Sequence, residues 1–169
     1  MGSVALGWIN INGTSYYIDY EEEYNESTDN WTITPKMLTG YQLIGGKVYK
    51  FASSGALIGE YTGNGWLQLA DGDFVYFKNG AMLKDGIYTI NGVKYYFYYS
   101  GRLLTDDWTY AEDEDMYVYA GSTGALYGVG WHKVSEGWIY VDAYGELLTD
   151  GVYKLGNSIY YFANGIWVP

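Results

Sequence analysis

The sequence predicts an all-β fold: a β-solenoid of about seven stacked β-hairpin repeats, each of roughly 20 residues. Three observations predict it. The phrase Gly151-Val-Tyr-Lys-Leu-Gly-Asn-Ser-Ile-Tyr-Tyr-Phe-Ala-Asn-Gly165 has earlier copies in Gly86-Ile-Tyr-Thr-Ile-Asn-Gly-Val-Lys-Tyr-Tyr-Phe97 and Gly130-Trp-His-Lys-Val-Ser-Glu-Gly-Trp-Ile-Tyr-Val141. The opening positions Gly7, Gly40, Gly65, Gly86, Asp107, Gly130 and Gly151 share a phase with the closing glycines Gly55, Gly80, Gly101, Gly124, Gly145 and Gly165. Within a copy, apolar and polar residues alternate with the period of a strand, not of a helix. A unit this short cannot bury its own apolar face, so the copies have to stack.

Each repeat is expected to be a short strand, a Gly/Asn/Asp turn, an aromatic strand and a short connector. The first opens at Gly7-Trp8 and carries an acidic insertion at about 19–35, with Glu21-Glu-Glu23, Glu26 and Asp29, and a short strand around Trp31-Thr-Ile-Thr34. The second opens at Gly40-Tyr41 and turns at Gly45-Gly46. A few extra residues, Glu60 to Asn64, precede the third at Gly65-Trp66. The fourth turns at Asn91-Gly92, where a tight primed turn needs positive φ. In its second strand Val93, Tyr95 and Phe97 alternate with Lys94 and Tyr96. The fifth opens at Asp107-Trp108, the sixth at Gly130-Trp131 and the seventh at Gly151-Val152. A second phrase recurs between repeats, as Leu103-Leu-Thr-Asp106 and Leu147-Leu-Thr-Asp150, with Met82-Leu-Lys-Asp85 and Met37-Leu-Thr-Gly40 as variants. Ile166-Trp-Val-Pro169 is expected to cap the last hairpin, since an end repeat must shield an open core. Neither departure from the repeat marks a boundary, so residues 1–169 are expected to form a single repeat domain.

Composition narrows the function. The chain has 169 residues, 22 Tyr, 7 Trp and 5 Phe, and its 49% hydrophobic content argues against disorder. A formal charge of −11 repels a phosphate backbone, so nucleic acid is excluded as a partner. No apolar run approaches the roughly 18 residues of a membrane span. The absence of cysteine removes disulfides and thiolate metal sites. No signal-peptide pattern is read at the start, and Met1-Gly-Ser3 is expected to be a cloning remnant or the beginning of one piece of a longer protein.

Catalysis has little to stand on. The single histidine, His132, follows Trp131 on a repeat strand and is expected to be a surface residue rather than a general base. Asp71, Asp73, Asp113, Asp115 and Glu136 fall at predicted turns, where acidic residues are ordinary. Glu112-Asp-Glu-Asp115 and Glu21-Glu-Glu23 offer hard oxygen ligands but lack the spacing of a calcium loop, and are read as solvated acidic turns. No metal, cofactor or enzymatic activity is expected. The aromatic positions carry the stronger signal. Gly-Trp or Asp-Trp opens four repeats, at Trp8, Trp66, Trp108 and Trp131, with a second ring at Phe74 and Trp138 in two of them. Rings on paired strands lie within reach of each other. With a third ring from the next hairpin they form either an interlocking core or an open box that attracts quaternary ammonium and stacks on sugar.

These residues resemble the choline-binding or cell-wall-binding repeats of Gram-positive bacteria and their phages, which run Gly-Trp, a short strand, Gly, an aromatic triplet with Tyr-Tyr-Phe, Gly, and Met-x-Thr-Gly. Related repeats occur in glucan-binding regions of glucosyltransferases and in clostridial toxin C-terminal regions. The resemblance covers nearly the whole chain outside the insertion. It implies a secreted, non-catalytic targeting module of the bacterial surface or cell wall, bacterial or phage-encoded, binding choline-bearing teichoic acid or a cell-wall or surface glycan, with a catalytic or effector domain attached. The family's cage carried onto this sequence gives Trp131, Trp138 and Tyr161, with Tyr160 the alternative if the register slips by one. A second cage is Trp66, Phe74 and Tyr96. A third, Trp108 with Met116 and Tyr140, lacks one ring. Ser15 stands at the second place of the first repeat, while Val48, Lys94 and Ile159 stand there in repeats two, four and seven. The competing readings are a structural or adhesive repeat protein that uses the acidic insertion to contact a protein partner, and the binding fragment of a phage or bacterial hydrolase whose catalytic part lies outside this chain.

Overall fold

The computed structural model describes residues 6–169, so Met1-Gly-Ser3 lies outside the described residues. Among those residues every regular element is a strand, and all pairing is antiparallel. The chain divides into two compact units, Met1–Met82 and Leu83–Pro169.

The first unit holds three three-stranded sheets. One comprises β1 (Gly7–Ile11), β2 (Thr14–Asn25) and β3 (Asn30–Met37); the next β4 (Gly40–Ile44), β5 (Lys47–Phe51) and β6 (Leu57–Glu60); the third β7 (Gly65–Gln68), β8 (Phe74–Lys78) and β9 (Ala81–Met82). The expected short strand at residues 31–34 lies inside β3, and the insertion is a ribbon formed by β3 and the distal half of β2. Val48, Leu69, Val75 and Phe77 form a buried cluster, with Tyr41 and Tyr61 packed against it. The sheets are tied together by the backbone: Ala70 N–H donates to the Tyr41 carbonyl at 2.8 Å.

The second unit has three two-stranded hairpins and a three-stranded end. The hairpins are β10 (Gly86–Ile90) with β11 (Val93–Phe97), β12 (Asp107–Ala111) with β13 (Met116–Ala120), and β14 (Gly130–Lys133) with β15 (Trp138–Val141). The end is β16 (Gly151–Leu155), β17 (Ser158–Ala163) and β18 (Ile166–Val168). The connectors that follow the hairpins explain how one hairpin sits on the last. Leu126 bridges to Ala120 of its own hairpin and donates its N–H to the Lys94 carbonyl of the preceding one at 2.9 Å. Leu147 repeats the arrangement, bridging to Val141 and donating to the Tyr117 carbonyl at 2.8 Å. The side chains follow: Tyr96, Leu104, Ala111, Val118 and Ala120 form one buried cluster, and Tyr119, Ile139 and Leu147 another. Ile166 of β18 packs on the second of these.

Asn91-Gly92 and Gly45-Gly46 occupy their tight turns with positive φ at both positions, as the primed turn requires.

Candidate functional site

Pairing register decides which rings meet. In the sixth hairpin Trp131 pairs with Tyr140 and Lys133 with Trp138, so these four side chains share one face. His132, Ile139 and Val141 take the other, where Ile139 and Val141 are buried. In the seventh hairpin Val152 pairs with Tyr161 and Tyr153 with Tyr160, while Phe162 pairs with Gly151 on one side and Trp167 of β18 on the other.

Trp131 is the hub of the resulting aromatic cluster. Its ring lies 5.2 Å from Tyr140, 5.0 Å from Tyr160, 5.8 Å from Phe162 and 5.9 Å from Trp167. The contacts to Tyr140, Tyr160 and Trp167 are edge-to-face, and Phe162 is nearly parallel, geometries in which the ring quadrupoles attract. Trp131, Trp138, Tyr160 and Trp167 line a cleft of about 380 Å³. Trp138 is exposed, and its ring is approached by the Lys133 ammonium at 5.6 Å from the centroid.

Tyr160, not Tyr161, therefore stands beside Trp131. Successive residues of a strand point to opposite faces, and Tyr161 is directed to solvent at 50% exposure. Trp167 is an additional wall of the cleft. Beyond the capping role expected of Ile166-Trp-Val-Pro169, Asn164-Gly165, with positive φ at both residues, turns the chain back as a third strand and brings Trp167 to the cleft.

The other predicted positions separate. Trp66 lies edge-to-face with Tyr76 at 5.0 Å, with Phe74 exposed on the same face of β7 and β8. Tyr96 is buried in the core cluster of the second unit, 5.6 Å from Tyr98, and burial pushes its phenol above the usual value. Trp108 lies 5.4 Å from Tyr117, which in turn lies 4.9 Å from Tyr110. Met116 is on the opposite face, paired with Ala111, so Tyr117 fills the place assigned to Met116. Tyr140 belongs to the face of Trp131.

Register also brings out a cluster in the first unit. Trp8 lies 5.2 Å from its cross-strand partner Tyr17, 5.0 Å from Tyr49 and 5.9 Å from Phe51 of the next sheet. Tyr17, Tyr49 and Phe51 correspond to Tyr140, Tyr160 and Phe162 around Trp131, so the two units carry the same four-ring motif. Ser15 does stand opposite Asn10, leaving this cluster without a counterpart of Trp138.

His132 is half-buried and engaged locally: its Nε2 hydrogen-bonds the Gly128 carbonyl at 2.6 Å and its ring stacks on Tyr127 at 4.3 Å. Among the described residues no three His, Asp or Glu side chains converge to hold a metal ion. The arrangement offers apolar faces and ring quadrupoles.

Hairpins in phase, connectors that bond back to the preceding hairpin, and an open aromatic cleft define a repeat-built binding protein. No family model matches the chain. Glucosyltransferase-S of Streptococcus downei is 28% identical over 174 residues, covering 98% of this chain and 12% of that protein. Glucosyltransferase-I of the same organism is 30% identical over 178 residues, covering 98% and 10%. The chain thus spans about a tenth of the length of these curated relatives. The solved structure of CbpJ from Streptococcus pneumoniae TIGR4 superposes with a TM-score of 0.52 at 30% identity, covering 97% of this chain and 48% of that one. Choline binding protein F from Streptococcus pneumoniae also gives 0.52, at 26% identity, covering 98% and 58%. The repeats of this chain are those of the choline-binding and cell-wall-binding repeat family.

Proposed function

We propose that the chain is a non-catalytic targeting module of the cell envelope. It holds choline-bearing teichoic acid or a cell-wall glycan in clefts between successive hairpins. The observation that carries this reading is the cleft of Trp131, Trp138, Tyr160 and Trp167, an open and almost wholly aromatic pocket of about 380 Å³. Such a site attracts a trimethylammonium group through the negative faces of its rings, each well-placed ring contributing about 0.5–2 kcal/mol. Three or four rings correspond to roughly millimolar affinity for a single headgroup. The same planar faces suit the C–H side of a sugar. Trp66 with Phe74, Trp108 with Tyr117, and the Trp8 cluster are further candidates of the same chemistry.

The likeness to choline binding protein F and to glucosyltransferase repeats supports this reading and supports a location outside the cell. A catalytic or effector domain in the same polypeptide fits the small share of the relatives that the repeats span. Within each compact unit the hairpins are read as successive turns of a β-solenoid, supported by connector hydrogen bonds such as Leu126 to Lys94. The whole chain is read as one repeat domain.

Choline titration followed by tryptophan fluorescence tests the site. The wild-type chain is expected to saturate in the millimolar range, and Trp131→Ala to lose at least about tenfold in affinity at this cleft while retaining its far-ultraviolet spectrum. Saturation by a wall glycan, with no response to choline, would move the ligand to the carbohydrate. An unchanged titration in Trp131→Ala would remove the site.

A further inference from the structure

We propose that the ribbon formed by β3 and the distal half of β2 is a docking face for a basic polypeptide segment, separate from the aromatic clefts. β1 pairs with β2 only as far as Ile18, whereas β2 and β3 continue together to Asn25↔Asn30. Eight register pairs from Ile18↔Met37 onward correspond to roughly 25 Å of ribbon. Register sorts its side chains into two unlike faces. Tyr20, Glu22 and Tyr24 lie opposite Pro35, Ile33 and Trp31 on one; Asp19, Glu21 and Glu23 lie opposite Lys36, Thr34 and Thr32 on the other. The first is a sheet face left open by the described residues: Trp31 is 59% and Ile33 62% exposed, and Tyr24 and Trp31 meet at 5.1 Å. A lone two-stranded ribbon is marginal in water, and an open apolar face marks an interaction site.

Charge identifies the occupant. Residues 19–37 carry Asp19, Glu21, Glu22, Glu23, Glu26 and Asp29 against the single cation Lys36. Lys36 is paired with Glu21, and Asp29 accepts the Tyr24 hydroxyl. Glu22 has no ion-pair partner among the described residues, yet it sits in the middle of the aromatic face. A lysine or arginine, with an apolar stem and a cationic head, satisfies the rings and the carboxylate together. A second copy of the chain would bring one acidic ribbon against another and place like charges in contact. Strand addition at the edges is opposed by Pro35 and Lys36 on β3 and by the Glu21-Glu-Glu23 run on β2. The partner is thus a basic segment lying across the face.

The test uses the ¹⁵N-labelled chain and a peptide of about ten residues alternating Lys and Val, with Glu-Val and Lys-Gly peptides and free choline as comparisons. The Lys-Val peptide is expected to shift the Trp31 indole and the amides of residues 20–24 and 31–35. Glu22→Gln and Trp31→Ala should each weaken it about tenfold, with Trp131→Ala having no effect. Glu22→Gln keeps the size of the side chain, so its result stands if Trp31→Ala disorders the ribbon. Shifts produced equally by the Lys-Gly peptide would reduce the face to diffuse charge and overturn the proposal. So would displacement of the peptide by choline, binding of the ribbon to phosphatidylcholine vesicles, or concentration-dependent shifts of these amides without peptide. Loss of choline binding at the Trp131 cleft with the ribbon shifts intact would count against the proposed function alone.

Discussion

Tyr110 and Tyr24 use the same device in two separate hairpins. Each stands before a hairpin turn and donates its hydroxyl to an aspartate five residues on, Asp115 and Asp29, both at positive φ. Keeping that proton bridges the turn, and the hydrogen bond to the carboxylate is the main cause that holds both phenols above the ordinary value of 10.0. A value raised in the folded chain makes this contribution complete below the ordinary tyrosine value and loses it as pH rises through the folded one. Asp115→Asn should return Tyr110 toward 10.0 and leave Tyr24 elevated, followed by ¹³C NMR of the ring carbons. A Tyr110 unmoved by the substitution would assign its shift to the other carboxylates nearby. Lys133 invites a second test. Its ammonium lies by the Trp138 ring, where under the proposed function it would compete with an incoming cation for the π face. Lys133→Ala should strengthen choline binding at the cleft about twofold to fivefold in the fluorescence titration; weaker binding would show that the lysine acts as a wall.

At the scale of the element, the hairpin turns carry the fold, and two glycines separate strain from space. Gly92 has φ +83° with nothing near the position of an added Cβ, so Gly92→Ala should cost about 1 kcal/mol from the backbone alone. Gly124 has φ +78°, and its Cβ would fall 2.4 Å from the Leu103 Cδ2, which belongs to a buried side chain. Gly124→Ala should cost about 1–3 kcal/mol more, because overpacking is added to the backbone term. Denaturant melts of both variants measure the difference, and equal midpoints would show that Leu103 yields freely. The turns were legible in the sequence because Asn-Gly and Gly-Gly have one favoured use between short strands. The cleft was legible only in part. Trp131 and Trp138 announce themselves by spacing, but the adjacent Tyr160 and Tyr161 have the same composition, and a strand of period two places them on opposite faces. Only register tells them apart. The same ambiguity misplaced Met116 for Tyr117 and took the buried Tyr96 for a cage residue. Trp167 was hidden because a three-residue terminal strand carries too little pattern to show which way its ring points.

At the scale of the whole molecule, affinity has to come from repetition. One cleft with three or four rings is a weak site, and a ligand carried many times on a polymer converts the second encounter into an intramolecular one. The four-ring motif occurs once in each compact unit, around Trp8 and around Trp131, and under the proposed function each would be a point of attachment. Free choline reports them independently, so Trp8→Ala and Trp131→Ala should each remove a fraction of the bound choline and leave the remaining affinity unchanged. A choline-bearing polymer should respond differently. Either substitution should lower its retention by about tenfold to a hundredfold, far beyond the fraction of sites removed, since the loss of one attachment removes the effective concentration at the other. Elution of both variants from an immobilised choline polymer, compared with equilibrium dialysis of free choline, separates the two cases. Polymer retention falling only in proportion to the lost sites would mean that the clefts bind one at a time, and that repetition in this chain serves the core rather than the ligand.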